Sequence, residues 1–185
     1  DLEAVNKFSG LLAASLVLRA EAAIAVMGPG IVGTRTVWGH TGIEVGEIAN
    51  AVHILGGQPV IIPRLSFADK RQQHAGLSHH LLTVLSRVLF RPAVLPLPAD
   101  IPAFAKSVIM RQLKDSGIGQ MHKICWIPGI QPAEIQSSLE AYPEQITTMG
   151  RTAEEDPLFF HGVVSAAQYV WQLALDRRNA VSKNP

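Results

Sequence analysis

Cysteine is nearly absent from the sequence, and neither sign of charge is in clear excess. The single cysteine, Cys125, has no partner for an intramolecular disulfide and cannot form a zinc site of several thiolates. It lies in an apolar run, so we interpret it as a buried structural residue. Lys and Arg number 16 and Asp and Glu number 15, which gives a net charge of +1. Because nucleic-acid and membrane-surface binders need a basic excess, neither kind of partner is predicted.

Long apolar runs are also missing. The longest apolar stretch, residues 10–27, is interrupted by Arg19 and Glu21, and these charges would be costly inside a bilayer. The sequence carries no secretory signal pattern either, so we expect a soluble, cytoplasmic protein. Hydrophobic residues make up 48% of the chain and charged residues 17%, which excludes a disordered tail and is enough for a core.

The length and the first residues bear on domain organisation. A chain of 185 residues fits one domain. It begins at Asp1, without an initiator methionine, directly in a helical pattern of apolar residues. We therefore predict a single α/β domain over residues 1–185 that forms the C-terminal part of a longer protein.

Short apolar runs alternate with amphipathic stretches along the whole chain. The runs predict strands at residues 22–27, 60–63, 93–97, 123–127 and 145–148. The amphipathic stretches predict helices near residues 41–55, 79–90, 103–114, 132–141 and 153–175. This alternation is typical of crossover units that feed a parallel sheet. The predicted fold class is α/β, with three α/β/α layers around a mostly parallel sheet of about five strands.

A glycine-rich loop follows the first predicted strand. Gly28, Gly30 and Gly33 match G-x-G-x-x-G, which in dinucleotide-binding folds leads straight into a helix. Here residues 34–42 intervene before the next helix, so we favour a loop whose amide groups and Thr34 hydroxyl hold a smaller anion, phosphate or carboxylate. The alternative is a tight turn that only packs the loop on the sheet.

The segment after the second predicted strand, residues 64–80, is longer than usual strand-to-helix connections, which is typical of functional loops. Asp69, His79 and His80 are candidate acid/base residues, because histidine exchanges protons near neutral pH. With His74 they are also candidate metal ligands, but their spacing matches no known metal motif. Adjacent helical side chains point about 100° apart, so we expect one of the paired histidines to face the site and the other to pack. We assign no metal site.

Arginines lie at three of the predicted strand exits, namely at Arg35, Arg64 and Arg151. Guanidinium groups bind phosphate and carboxylate through paired hydrogen bonds, so a convergence of two would indicate an anionic ligand. The alternative is internal pairing, for which the nearby acidic residues are Asp69, Glu154 and Asp156. The predicted ligand-binding set is Gly28, Gly30, Gly33, Thr34, Arg35, Arg64, Ser66 and Arg151.

These residues predict an enzyme-like pocket for a small anionic metabolite at the carboxyl edge of the sheet. Catalysis itself stays open and the cofactor unknown, since the sequence has no G-x-S-x-G, G-x-x-x-x-G-K-[ST] or H-E-x-x-H motif. The alternative function is a non-catalytic ligand-sensing or assembly domain of a longer protein. The apolar C-terminal helical stretch, with Phe159, Phe160 and Trp171, is compatible with a homo-oligomer.

Several strings of the sequence are distinctive: GPGIVGT, HTGIE, PRLSFADKR, LSHHLLTVLSRV and TTMGR, followed by EEDP. Together they resemble a bacterial family known only as a domain of unknown function, over residues 1–157. Chains of that family extend further toward the N-terminus, so the resemblance implies that this sequence is their C-terminal part. It implies no activity, substrate or cofactor. Family members commonly carry glycine where Arg35 stands, so the loop here would hold an anion by a side chain or be partly blocked.

Overall fold

The computed structural model describes residues 2–28, 30–34 and 36–182, and helices dominate it. The helices are α1 (Lys7–Leu12), α2 (Ile43–Ile54), α3 (His79–Thr83), α4 (Ala103–Asp115), α5 (Ile118–Met121), α6 (Pro132–Glu140) and α7 (Pro157–Ser182). The π-helical turns Ala13–Val17 and Val84–Val88 extend α1 and α3, and Gln72–His74 forms a 3-10 turn. The strands are β1 (Leu65–Ser66), β2 (Gly76–Leu77), β3 (Val94–Pro98) and β4 (Lys123–Ile127). Among the described helices, none combines the length and the apolar character that a membrane span requires.

The predicted three-layer fold around a five-stranded parallel sheet is wrong. In the described residues β1 and β2 form an antiparallel hairpin, and β3 and β4 form a separate parallel pair. Helices account for 49% of the structure and strands for only 11%. The helices predicted from apolar periodicity are present as α2, α3 with its π turn, α4, α6 and α7, whereas most of the predicted sheet is missing.

Prolines explain why the parallel pair does not grow into a larger sheet. β3 and β4 lie where the third and fourth strands are predicted, and they pair along their whole length. On the other side of β3, Val94 exchanges two backbone hydrogen bonds with Pro59 and Ile61. The next N–H groups in that ladder would have to come from residues that have none, which are Pro63, Pro96 and Pro98. The predicted strand at 60–63 is therefore reduced to a single bridge at Val60.

The other two predicted strands fail because no neighbouring strand pairs with them. Residues 22–27 are mostly exposed and rich in alanine, which has a low strand propensity. In residues 145–148, Thr148 alone is paired, through a bridge to Arg151 that closes a tight turn. An apolar run of this length therefore does not form a strand without a partner.

The main core lies where α3 with its π turn, the hairpin, β3 and α4 meet. Its fully buried side chains are Leu65, Leu77, Leu85, Leu95, Leu97, Ile109 and Ile118. Helix α7 packs across β1 and β3. Its backbone approaches closely because Gly162 has no side chain, and a Cβ there would lie 3.1 Å from the Pro63 carbonyl oxygen. This packing brings the start of α7 against the segment 64–80. The homo-oligomer suggested by the apolar residues of α7 stays a prediction.

Candidate functional site

The β1–β2 hairpin separates a core face from a polar face. Leu65 pairs with Leu77, and both side chains are buried in the core. Because side chains alternate along a strand, Ser66 points to the opposite face. The Ser78 N–H donates to the Arg64 carbonyl oxygen at 3.0 Å, which continues the pairing by one residue. Arg64 and Ser78 therefore share the polar face with Ser66, although they stand at opposite ends of a long connecting segment.

Gln112 of α4 fixes this hairpin from outside. Its Oε1 accepts the Leu77 N–H at 2.9 Å, and its Nε2 donates to the carbonyl oxygens of Ala75 and Leu77 at 3.0 and 3.1 Å. Three hydrogen bonds from one side chain hold the second strand in register. Nothing in the local sequence around Gln112 indicates this role, because it depends on the packing of α4 against the hairpin.

Asp156, directly before α7, is the most deeply buried acidic residue of the site. It is 1% exposed and accepts three hydrogen bonds at Oδ2: from Ser66 Oγ at 2.7 Å and from Arg151 Nε and Nη2 at 3.1 and 3.0 Å. Thr152 and Glu155 make reciprocal hydrogen bonds, from the Thr152 N–H to Glu155 Oε2 and from the Glu155 N–H to Thr152 Oγ1. This turn holds Asp156 toward the polar face of the hairpin.

A tight turn places Arg151. Thr148 and Arg151 exchange backbone hydrogen bonds of 2.8 and 3.0 Å, so the two residues between them make the whole reversal. Both have a left-handed backbone, with φ of 52° at Met149 and 75° at Gly150. Glycine adopts this conformation freely, whereas a methionine adopts it at a cost. The arginine therefore owes its position to a strained turn.

Asp69 is the second carboxylate of the site. Arg71 donates to the Asp69 carboxylate from Nε at 3.0 Å and from Nη2 at 2.8 Å. The backbone N–H of Arg71 donates a third hydrogen bond to the same carboxylate. These contacts keep the pKa of Asp69 well below its usual range, with the Arg71 side-chain hydrogen bonds as the largest cause. Arg64 Nη2 and Arg151 Nη2 lie 3.8 and 4.0 Å from Asp69 Oδ2. We call the set Arg64, Arg71, Arg151, Asp69 and Asp156 the guanidinium network.

Arg64 is the unusual member of the guanidinium network. Its guanidinium carbon lies 4.9 Å from the centre of the Phe159 ring, and its Nη1 is buried without a hydrogen-bond partner in the described residues. Burial lowers the pKa of Arg64, and the carboxylates of Asp156 and Asp69 oppose that shift. Arginine stays charged under such conditions, so the site contains a positive group with an unpaired Nη1.

Four imidazole rings form a cluster beside the network: His40, His74, His79 and His80. The centre of the His79 ring lies 4.0 Å from that of His80 and 5.0 Å from that of His74. His40 stacks on His80 at 4.2 Å. One ligand nitrogen from each of His74, His79 and His80 lies within 4.8 Å of the others, which makes these three residues candidate metal ligands. We call the four residues the histidine cluster.

Burial favours the neutral form of the imidazole rings in the histidine cluster. It is the largest cause of the lowered pKa of His40, His74 and His79. The pKa of His80 is lowered furthest, to about 4, by burial and then by the neighbouring His79 and His40. Neutral imidazoles carry a free ring-nitrogen lone pair, which can accept a proton or bind a metal ion.

The network and the cluster are joined through His74. Its Nδ1 lies 2.9 Å from Ser78 Oγ on the polar face of the hairpin. The charges of Arg71, Asp69 and Arg64 all act on the His74 ring. The structure thus brings Arg64, Ser66, Asp69, His79, His80 and Arg151 of the predicted set into one region.

Among its described residues, the predicted glycine loop meets this region at only one end. Gly28 and Gly30 are exposed, and a Cβ at either would meet no atom within 4 Å. Gly33 pairs with His40 in an isolated bridge. The Thr34 hydroxyl contacts Thr36 Oγ1 at 3.1 Å, and Arg35 lies outside the described residues. An anion cradle formed by this loop stays a prediction, and its observed link to the site is the strand-like contact with His40.

Sequence reasoning does not select two of the residues that shape the site. His40 follows the glycine loop without a local signal for its role, and Asp156 is predicted only as an internal partner for an arginine. His74, in contrast, is predicted as a candidate metal ligand, and the structure places it in the histidine cluster. A cavity of about 310 Å³ between α6 and α7, with Phe160 and His161 among its lining residues, contains no residue of the network or the cluster.

Comparison with known proteins yields a family but no activity. Residues 1–167 match the model of a family described as Protein of unknown function (DUF3866). No curated protein and no solved structure matches the chain.

Proposed function

The chain belongs to this family of unknown function, and we propose that it binds a small anion at Arg64 and Arg151. The anion is the phosphate or carboxylate group of a metabolite. The observation that carries the proposal is Arg64, whose side chain is only 26% exposed and whose Nη1 is buried without a hydrogen-bond partner among the described residues. Buried donors are normally paired, and leaving them unpaired costs about 1–3 kcal/mol each. An anionic oxygen would supply the missing acceptor.

The charges of the guanidinium network support the same conclusion. Three guanidinium groups face two carboxylates, and the imidazole rings of the histidine cluster carry no negative charge. Asp69 forms an ion pair with Arg71 at 2.8 Å, and Asp156 forms an ion pair with Arg151 at 3.0 Å. Arg64 is left with a carboxylate oxygen at 3.8 Å, which is beyond hydrogen-bond distance. One bound negative charge would balance the set.

Arg151 and Ser66 have supporting parts in this proposal. Two nitrogen atoms of Arg151 are already used on Asp156, so Arg151 would offer the anion its remaining Nη1 and its charge. The Ser66 hydroxyl donates to Asp156 and thereby fixes the carboxylate that orients Arg151. Paired hydrogen bonds from such preoriented guanidinium groups favour planar carboxylate or phosphate oxygens over spherical anions.

The proposal is tested by calorimetric titration of inorganic phosphate and of acetate into the full chain, with a metal chelator present. We expect saturable binding that Arg64→Met weakens by about tenfold or more, as loss of a charge-assisted hydrogen bond predicts. Arg64→Lys keeps the positive charge but lacks the paired donors of a guanidinium group. Its affinity for the anion should lie between that of the unchanged chain and that of Arg64→Met. Arg111→Met, at an exposed position on α4, is the matched control and should bind like the unchanged chain.

Two results would overturn the proposal. One is anion binding that Arg64→Met and Arg111→Met leave equally intact. The other is the absence of heat and of any thermal stabilisation by either anion. The second result would favour the non-catalytic sensing or assembly domain instead.

A further inference from the structure

We propose that His74, His79 and His80 hold a divalent transition-metal ion of the Zn²⁺ type. Their ligand nitrogens lie within 4.8 Å of one another. Tetrahedral zinc with Zn–N bonds of about 2.0–2.1 Å places its ligand nitrogens roughly 3.4 Å apart, so ring movements of about 1 Å complete the site. The inference goes beyond anion binding and does not rest on it, because the ligands are different side chains.

The backbone explains how two adjacent histidines reach one point. His79 and His80 are the first two residues of α3, and their ring centres are 4.0 Å apart. The expectation that one of them would face the site while the other packs elsewhere does not hold. At the first turn of a helix no preceding turn restricts the side chains, so both imidazoles can swing toward the 3-10 turn that carries His74.

His74 is oriented for such a role. Its Nδ1 lies 2.9 Å from Ser78 Oγ, so the hydroxyl can hold the Nδ1 proton and leave the Nε2 lone pair free. Metal-binding histidines usually have their second ring nitrogen fixed in this way. Gln73 Nε2 stands 3.4 Å from His79 Nε2 and can only donate to it, so His79 would bind the ion through Nδ1 or give up this contact.

His40 supplies an independent observation. It is 7% exposed, and neither of its ring nitrogens has a hydrogen-bond partner among the described residues. The backbone of Val37 is close enough to affect the pKa of His40 but makes no well-formed hydrogen bond to the ring. A buried imidazole with both nitrogens unpaired is costly. An ion held by His74, His79 and His80 would lie beside this unpaired ring, which stacks on His80 without being one of the three ligands.

The donor set decides the class of metal. Three imidazoles without a carboxylate or thiolate suit Zn²⁺ and its transition-metal neighbours and do not suit Mg²⁺ or Ca²⁺, which prefer oxygen. Arg71 and Arg64 repel a dication at this place, and Asp69, which also acts on His74, offsets part of that repulsion. His79 and His80 are partly exposed, so a coordination position stays accessible from solvent. Three protein ligands and an open position are typical of catalytic zinc rather than structural zinc.

The test is a titration of Zn²⁺ into the chelator-treated full chain in phosphate-free buffer, with Co²⁺ as a second probe. We expect one equivalent of Zn²⁺ to bind and Co²⁺ to show the visible absorption of a tetrahedral nitrogen site. His74→Gln and His79→Gln should each weaken binding by about tenfold or more. His53→Gln, a histidine of α2 outside the cluster, is the control and should leave binding unchanged.

Circular dichroism shows whether each variant is folded. If the buried His74 variant does not fold, the partly exposed His79→Gln and His80→Gln variants decide the question. Binding of less than one equivalent, or equal affinity in the His53, His79 and His80 variants, would overturn the proposal. The phosphate titration contains a chelator and the zinc titration contains no phosphate, so either proposal can fail without the other.

Discussion

Replacement of Asp156 by asparagine should lower the free energy of unfolding by about 3 kcal/mol, the low end of the cost of breaking a buried ion pair. The Asp156 side chain is 1% exposed and accepts three hydrogen bonds from Ser66 and Arg151. An asparagine oxygen can keep some of these contacts but brings no charge. Three guanidinium groups would then face the single carboxylate of Asp69. Arg151 is 22% exposed, so solvent screens part of the loss, and this is why we expect the low end of the range.

Urea denaturation measures this loss. The midpoint should fall without a change in the slope of the transition, because the surface exposed on unfolding is unaltered. Asp115→Asn, at an exposed position in the last turn of α4, serves as control and should shift the free energy of unfolding by no more than about 0.5 kcal/mol. The double variant with Ser66→Ala should cost less than the sum of the single changes, because both remove the same hydrogen bond. A loss below about 1 kcal/mol in Asp156→Asn would refute the view that this carboxylate organises the guanidinium network.

Three further predictions concern the turn, the helix packing and a buried histidine. Gly150→Ala places a side chain on a residue with a φ of 75°, so the free energy of unfolding measured with urea should fall by about 1–2 kcal/mol. Phosphate binding should also weaken, because the changed turn would displace Arg151. Unchanged stability would show that the turn adapts. Gly46→Ala places a Cβ 2.5 Å from Val88 Cγ1 and should lower the free energy of unfolding by roughly 1–3 kcal/mol. A second change, Val88→Ala, should recover part of this loss. No recovery would contradict the packing of Gly46 against Val88. Burial lowers the pKa of His161 below its ordinary value of 6.5, so the unfolded chain takes up the proton first as the pH falls. The free energy of unfolding, measured from pH about 7 to about 5, should therefore fall more steeply in the unchanged chain than in His161→Gln, and equal slopes would contradict this.

The local elements could be predicted from the sequence, but their assembly could not. Apolar periodicity is enough to place α2, α4 and α6 within a few residues, because a helix satisfies its own backbone groups. A strand depends on a partner. The apolar runs at 93–97 and 123–127 do pair, whereas those at 22–27 and 145–148 find no neighbour. The register between residues 59–63 and β3 decides which N–H groups the ladder would need. No local sequence pattern reveals that register.

The candidate site could be predicted from the sequence about as far as the fold could. A long segment rich in Arg, Asp and His after residue 63 indicates a polar region, and the structure brings Arg64 and Arg151 to the same carboxylate oxygen of Asp69. The two alternatives considered for these arginines, convergence and internal pairing, are both seen. His40 could not be selected in this way, because what distinguishes it is ring stacking and two unpaired nitrogens that arise only on folding.

The two-residue strands of the hairpin have a consequence for how this region can evolve. Leu65 and Leu77 point one way while Arg64 and Ser66 point the other, so deleting or inserting one residue there would turn leucines outward and arginine inward. Insertions and deletions that preserve the fold should therefore fall in the flanking loops and leave the orientation of the polar side chains unchanged. The packing of Leu65 and Leu77 alone would keep the polar side chains on one face of the hairpin, so that new chemistry could arise there.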